Sequence, residues 1–200
     1  HHHVHATADL SFHGTPSTRS DPGEKGPGFE VSGVHPERRG IDEFQPDEKK
    51  WDTLRKHGFT IAHLAPSEGI FRGTGPCVQL REGNPNELVL KEAVAQILAF
   101  DPVGKEHSPP VYPNSLMGTL AVIRQAFIDA QHAQELILYQ KKNPVPLTFT
   151  PHAGIRSLQK VLNKKAPFPV WIEPGSCLME SRALSLGKEF GVRPVIIATG

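Results

Sequence analysis

The pattern with the clearest chemical potential is a pair of histidines near the start of the chain, His3 and His5, separated by Val4. On a β-strand, residues two apart point to the same side, so the two imidazoles could bind one divalent ion. Neutral imidazole is a common zinc ligand, and the pattern therefore predicts a metal site. The alternative is that the run His1–His3 is the remnant of an expression tag.

Three further polar residues lie at or near the ends of predicted strands, where parallel α/β folds bind their ligands. Glu173 follows an apolar strand and could ligate the metal or act as a base, or else stabilise the N-terminus of the next helix. His152 follows the segment 145–150 and is predicted to bind substrate, or else to form only local hydrogen bonds. His63 is predicted to bind substrate, or else to be a buried imidazole with its hydrogen bonds satisfied.

A glycine-rich stretch and two cysteines have weaker functional interpretations. The stretch Gly69–Gly75 could cradle a phosphate with backbone N–H groups, but it lacks the Gly-Lys-Ser/Thr ending of a P-loop. A turn between strand layers is the favoured interpretation. Cys77 and Cys177 have no histidine and aspartate spaced for a catalytic triad, and they are predicted to be buried small apolar residues.

The helices and strands that position these residues are predicted from turn-forming residues and from the periodicity of apolar residues. Residues 11–46 are rich in Gly, Pro, Ser and charge, which predicts a long loop. A helix is predicted from about 45 to Gly58, and a longer one from Ser115 to about Tyr139. Short strands are predicted at 59–64, 77–80 and 87–91, whereas the type of the apolar segment 93–100 stays open.

From residue 145 onward, strands and helices alternate. Strands are predicted at 145–150, 168–173 and 194–198, with helices at about 155–164 and 178–190 between them. This alternation predicts an α/β fold with parallel strands and right-handed crossovers.

Composition excludes several classes of function. The 22 Lys and Arg nearly balance the 21 Asp and Glu, so we expect no nucleic-acid partner and no anionic membrane surface. No apolar run approaches the roughly 20 residues of a membrane span. The absence of an initiator Met and the final apolar strand predict a fragment at both ends.

Several motifs in the second part of the chain resemble a known family. They are Gly58-Phe59-Thr60, the stretch Gly69–Gly75 with Val78-Gln79-Leu80, the segments 112–118 and 123–130, and the strand–helix unit 169–191. Together they are similar to the amidohydrolase superfamily, in particular to imidazolonepropionase-like and related secreted bacterial amidohydrolases. The resemblance covers residues 36 to 200.

The resemblance implies a metal-dependent hydrolase on a partial or complete (β/α)8 TIM-like barrel, with a long N-terminal loop. The implied organisation is 1–44 as a first strand candidate and Gly/Pro-rich loop, and 45–200 as the first half of the barrel. His3 and His5 fall where the family has a His-x-His metal motif, and Glu173 stands where a later histidine ligand is expected. The remaining ligands and the proton-shuttling carboxylate would lie beyond Gly200.

The activity implied is hydrolysis of amide or cyclic amide C–N bonds by a water activated on a divalent metal, with zinc expected. The substrate would be a small molecule or peptide-like, and a second chain or further copy could complete the barrel. A periplasmic or secreted location is suggested by the resemblance alone. Two alternatives stay open: a catalytically inactive amidohydrolase-like binding or scaffolding module, and a small doubly wound domain that binds a phosphorylated ligand.

Overall fold

The computed structural model describes residue 31 and the ranges 33–66, 69–101, 112–143 and 149–197. The predicted first strand with His3 and His5, and most of the long loop, lie outside the described residues. The prediction that 1–44 and 45–200 are separate units therefore stays a prediction.

The described chain forms a short 3-10 helix, five α-helices and seven strands. The helices are α1 (Glu48–Lys56), α2 (Pro85–Leu88), α3 (Leu116–Lys142), α4 (Ala153–Val161) and α5 (Cys177–Phe190), and the 3-10 helix is Gly40–Glu43. The strands are β1 (Ile61–His63), β2 (Phe71–Thr74), β3 (Cys77–Gln79), β4 (Val89–Lys91), β5 (Gln96–Ala99), β6 (Val170–Glu173) and β7 (Pro194–Ile196).

The strands form two sheets. A small antiparallel sheet has the order β1-β3-β4, and a larger mixed sheet has the order β2-β5-β6-β7. In the larger sheet β2 is antiparallel to β5, whereas β5, β6 and β7 are parallel in the order of the sequence. The predicted strands 168–173 and 194–198 are therefore parallel, as the alternation of elements indicated, whereas the third parallel strand, β5, comes from the segment 93–100, whose type the sequence left open.

Helices α3, α4 and α5 pack on one face of the larger sheet. Alternation along β6 directs Val170 and Ile172 into this core, together with Leu98 of β5. The helices contribute an apolar layer of Leu120, Ile123, Phe127, Leu158, Ala183 and Leu186. A sheet with all three helices on one face is typical of a singly wound fold, whereas a doubly wound domain has helices on both faces of its sheet. The α/β class is confirmed, and closure into a barrel stays a prediction.

The smaller sheet has its own apolar cluster. Trp51 of α1 is 3% exposed and packs with Ala62, Val78 and Leu88, against which Phe44 and Phe59 also lie. Asp47 accepts a hydrogen bond from the Lys50 backbone N–H at the N-terminus of α1. The helix predicted from about 45 to Gly58 is thus confirmed, with both ends about two residues shorter.

The structure differs from two local predictions. Residues 71–74 of the glycine-rich stretch form strand β2, so the interpretation of the whole stretch as a loop was wrong. Most of the predicted strand 145–150 lies outside the described residues, and Phe149 and Thr150 are not in a strand.

Across the described ranges, no helix combines the length and the apolarity that crossing a bilayer requires.

Candidate functional site

A buried arginine gathers two carboxylates at the carboxyl ends of β5 and β6. The Arg72 guanidinium donates to Glu173 Oε2 at 2.6 Å and to Asp101 Oδ2 at 2.7 Å, while its Nε donates to the Gly69 carbonyl at 3.1 Å. The side chain of Arg72 is 4% exposed, that of Glu173 13% and that of Asp101 63%. Buried charges are paired in this way because isolation from water is costly.

A β-bulge puts Arg72 in this position. Phe71 pairs with Leu98 and Gly73 pairs with Ile97, so Arg72 is the extra residue of β2. Gly73 has a φ of 85°, and a Cβ there would collide with the Arg38 carbonyl oxygen. Only glycine fits both requirements, and the bulge therefore depends on Gly73.

Three backbone N–H groups of this stretch are used within the chain. Ile70 and Phe71 donate to the Gly33 carbonyl at 2.7 and 3.0 Å, and Thr74 donates to the Arg38 carbonyl at 2.9 Å. They are therefore not presented to a phosphate. The favoured interpretation, a turn between strand layers, was wrong for residues 71–74, which form β2, and close approach of the Arg38 backbone accounts for Gly73.

Glu173 and Trp171 share the face of β6 that lies opposite the helices. The ring of Trp171 lies against His63, with ring centroids 4.4 Å apart and planes inclined by 54°. His63 belongs to β1, so this contact joins the two sheets. The imidazole is 8% exposed, in agreement with a buried histidine, and its predicted role in substrate binding stays a prediction.

His152 caps α4. Its Nδ1 accepts a hydrogen bond from the Gly154 N–H at 3.1 Å, which is the local bonding that the alternative interpretation expected. Glu37 lies against the same helix end, with Oε2 3.1 Å from the position of a Cβ on Gly154. A substrate-binding role for His152 stays a prediction.

The Glu37 carboxylate is stabilised in its charged form. Burial alone would raise the pKa of Glu37, but a hydrogen bond from His35, one from the backbone, and the nearby imidazoles of His35 and His152 lower it overall. His35 Nδ1 lies 3.5 Å from Glu37 Oε1.

The two cysteines are free thiols in different surroundings. Cys77 is partly buried, and burial raises its pKa despite the opposing charge of Lys91. Cys177 is exposed at the start of α5, so the prediction that it is buried was wrong. The error arose because the first turn of α5 faces solvent, as the 80% exposure of Leu178 also shows.

The predicted metal site of His3, His5 and Glu173 stays a prediction. Of the three, only Glu173 is described, because His3 and His5 lie before residue 31. Among the described residues, no group of three or more His, Cys, Asp or Glu side chains has the arrangement of a metal site.

Sequence reasoning missed Arg72 and Asp101. The sequence did contain an indication of the role of Arg72, which lies between Ile70-Phe71 and Gly73. An arginine in such an apolar stretch is expected to pair with carboxylates if it is buried. The identity of those carboxylates depends on tertiary pairing across 101 residues for Glu173 and 29 for Asp101.

A surface cleft of about 460 Å³ lies elsewhere, beside β1 and the end of α1, where Arg55, Phe59, Ile61 and Arg81 contribute to its lining. None of the predicted site residues lines it. Because the cleft is open to solvent and lacks these residues, the candidate site remains at the strand ends.

Neither a protein-family model nor a curated protein matches this chain. A solved structure does: the crystal structure of an amidohydrolase from Thermotoga maritima MSB8 superposes with a TM-score of 0.70 at 22% sequence identity. The match covers 83% of this chain and 43% of that chain, so the present chain spans less than half the length of that protein. The predicted resemblance to amidohydrolases is confirmed at the level of the fold.

Proposed function

We propose that the chain is part of a metal-dependent hydrolase that cleaves amide or cyclic amide C–N bonds. The observation that supports this most is the Arg72–Glu173–Asp101 cluster at the carboxyl ends of parallel strands, in a fold similar to that of an amidohydrolase. Active sites of α/β barrels are built at that end of the strands.

The donor chemistry fits a zinc ion. His3, His5 and Glu173 would hold it, and two imidazoles with one carboxylate form a set of ligands that zinc accepts in catalytic sites. Two carboxylates against one guanidinium also leave one excess negative charge beside the site, which attracts a dication. When bound, such an ion lowers the pKa of a water ligand toward about 7.

The described residues would prepare the site. Arg72 holds the Glu173 carboxylate at the strand end, and Asp101 balances the positive charge of Arg72. Trp171, on the same face of β6 as Glu173, packs against His63 of the smaller sheet. A small or peptide-like amide would approach along this face, where His63 is one proposed substrate contact, and His152 at the start of α4 is the other.

A catalytically inactive binding or scaffolding module is the second candidate. The same ion pair favours it, because Arg72 already supplies a positive charge 2.6 Å from Glu173. In this alternative, Arg72 replaces a metal as the partner of the carboxylate.

A further strand-bearing chain or a second copy would complete the barrel in either case. Val195 of β7 is 49% exposed on the face opposite the helices, and within the described residues β7 is the edge of the sheet. A covering element of that kind would bury it.

The test is hydrolysis of a panel of N-acyl amino acids and cyclic amides. The assay uses the complete barrel that the proposal expects, of which this chain is part, after chelator treatment and again after addition of zinc. Turnover that appears only with zinc, and that falls at least about tenfold in Glu173→Gln, is the expected result. Glu135→Gln, which changes an exposed glutamate of α3, is the matched control.

Two outcomes contradict the hydrolase. Equal turnover with and without zinc would show that the reaction does not require the metal. No turnover of any amide by a folded protein that binds zinc stoichiometrically favours the inactive module.

A further inference from the structure

The side chain of Arg72 is more buried, and it has more hydrogen-bond partners, than the arginine of an ordinary surface ion pair. It is 4% exposed, and it donates hydrogen bonds to three different segments of the chain: the turn at Gly69, the end of β5 and the end of β6. Its fork geometry suits this arrangement, because a guanidinium presents several donors in fixed directions.

The two carboxylates are held unequally. Glu173 is 13% exposed and lies at the end of a strand whose backbone is paired on both sides, since β6 lies between β5 and β7. Asp101 is 63% exposed, so solvent screens its bond to Arg72. The bond to Glu173 is therefore the one that determines where a functional side chain lies.

We infer that Arg72 is the positioning residue of the site, in which the bulge of β2 aims its guanidinium at Glu173 and so fixes the carboxylate at the mouth of the parallel strands. For its effect on zinc this inference rests on the proposed function. Carboxylate ligands of metals are commonly oriented by such hydrogen bonds, and loss of the donor typically weakens the metal about 10- to 100-fold.

The experiment compares Arg72→Gln, Arg72→Lys and Asp101→Asn. Arg124→Gln is the matched control, since Arg124 also donates to a carboxylate, that of Glu189, but both side chains are about 40% exposed or more. Each variant is crystallised without metal, and the position of the Glu173 side chain is determined. Zinc affinity is measured separately by competition with a chromophoric chelator.

We expect the Glu173 carboxylate to leave its position in Arg72→Gln and zinc affinity to fall about 10- to 100-fold, with partial recovery in Arg72→Lys. In Asp101→Asn the Glu173 carboxylate stays in place, and in the control Arg124→Gln it stays in place and zinc affinity changes by less than about fivefold. If Arg72→Gln does not fold, Arg72→Lys carries the test, because lysine keeps the charge but cannot bridge both carboxylates.

Two results overturn the inference. One is a Glu173 carboxylate in its original position in the Arg72 variants, whatever zinc does. The other is unchanged or tighter zinc binding by Arg72→Gln, which would make Arg72 a competitor of the metal. If the unmodified chain binds no zinc while Glu173 still moves in the variants, the positioning role stands and the proposed metal-dependent function fails.

Discussion

At the scale of single residues, the charge of Glu37 makes stability depend on pH. Its pKa is lower in the folded protein than in the unfolded chain, so folding favours the ionised form. The stability it contributes is present at neutral pH and is lost as the pH falls through the lowered pKa. We expect Glu37→Gln to be less stable than the unmodified chain at pH 7, with the difference shrinking as the pH falls below the unfolded pKa of about 4.3 and lost below the lowered pKa of the folded protein.

Urea unfolding across this pH range measures the effect. Glu135→Gln is the control, since this glutamate is exposed on α3. A difference for Glu37→Gln that persists or grows in acid would show that the stabilisation does not come from the ionised carboxylate.

The thiols provide a second prediction. Cys177 is exposed, whereas Cys77 is partly buried and its pKa is raised by burial. Because the thiolate is the reactive form, a thiol reagent at pH 8 should modify Cys177 several times faster than Cys77. Peptide mass spectrometry with time gives both rates, and the difference should vanish in denaturant. Equal rates in the folded protein would contradict the burial of Cys77.

Residue types and local pattern placed Glu173 and His63 at strand ends, as the structure shows, while their metal and substrate roles stay predictions. Glu173 and His63 were predicted from their places at strand ends, since those places follow from apolar runs in the local sequence. Arg72 was not identified, because its role comes from a bulge and from partners that are remote in the chain. The metal roles of His3 and His5 stay predictions.

At the scale of elements, β2 depends on Gly73. Gly73→Ala would require both a positive φ and displacement of the Arg38 backbone, so we expect a loss of about 3 kcal/mol or more in the free energy of unfolding. Gly191→Ala is the matched control, because φ is 68° but no atom lies within 4 Å of the added methyl group. Its expected loss is about 1 kcal/mol.

Chemical denaturation of both variants gives the comparison. Equal losses for the two substitutions would mean that the backbone contact with Arg38 contributes nothing.

The caps of α3 and α5 provide another matched pair. Ser115 accepts a hydrogen bond from the Gly118 N–H at 3.2 Å, whereas Ser176 makes no capping bond through its side chain. Ser115→Ala should therefore cost about 1 kcal/mol, and Ser176→Ala close to nothing. Urea unfolding measures both losses. A Ser176→Ala loss as large as that of Ser115→Ala would contradict these cap assignments.

Element types with strong periodicity were predictable. The helices α3, α4 and α5 and the strands β6 and β7 match their predicted positions within a few residues, because each has an apolar face and a turn signal at its end. The strand β2 was missed because its glycines indicate a loop. They are required instead by close approach of neighbouring backbone, which only the folded structure reveals.

At the scale of the whole molecule, the charged cluster lies at the carboxyl ends of the parallel strands, which a single helix layer covers on one face. The helix layer on one face of the sheet follows from the apolar faces of α3, α4 and α5. The opposite face presents Trp171 and Glu173, and this is the face that a barrel would enclose. The similarity to the Thermotoga maritima amidohydrolase supports the fold, and the proposed metal chemistry depends on a direct measurement.

That measurement is an equilibrium zinc titration of the 200-residue chain and three variants. The account predicts one tightly bound zinc ion per chain and an affinity at least about tenfold lower in Glu173→Gln and in the double variant His3→Ala/His5→Ala. His1→Ala/His2→Ala is the control for binding by a tag-like histidine run, and it should bind as the unmodified chain does. A chain that binds no zinc, or one whose binding is lost in the control but kept in Glu173→Gln, would contradict the proposed metal site.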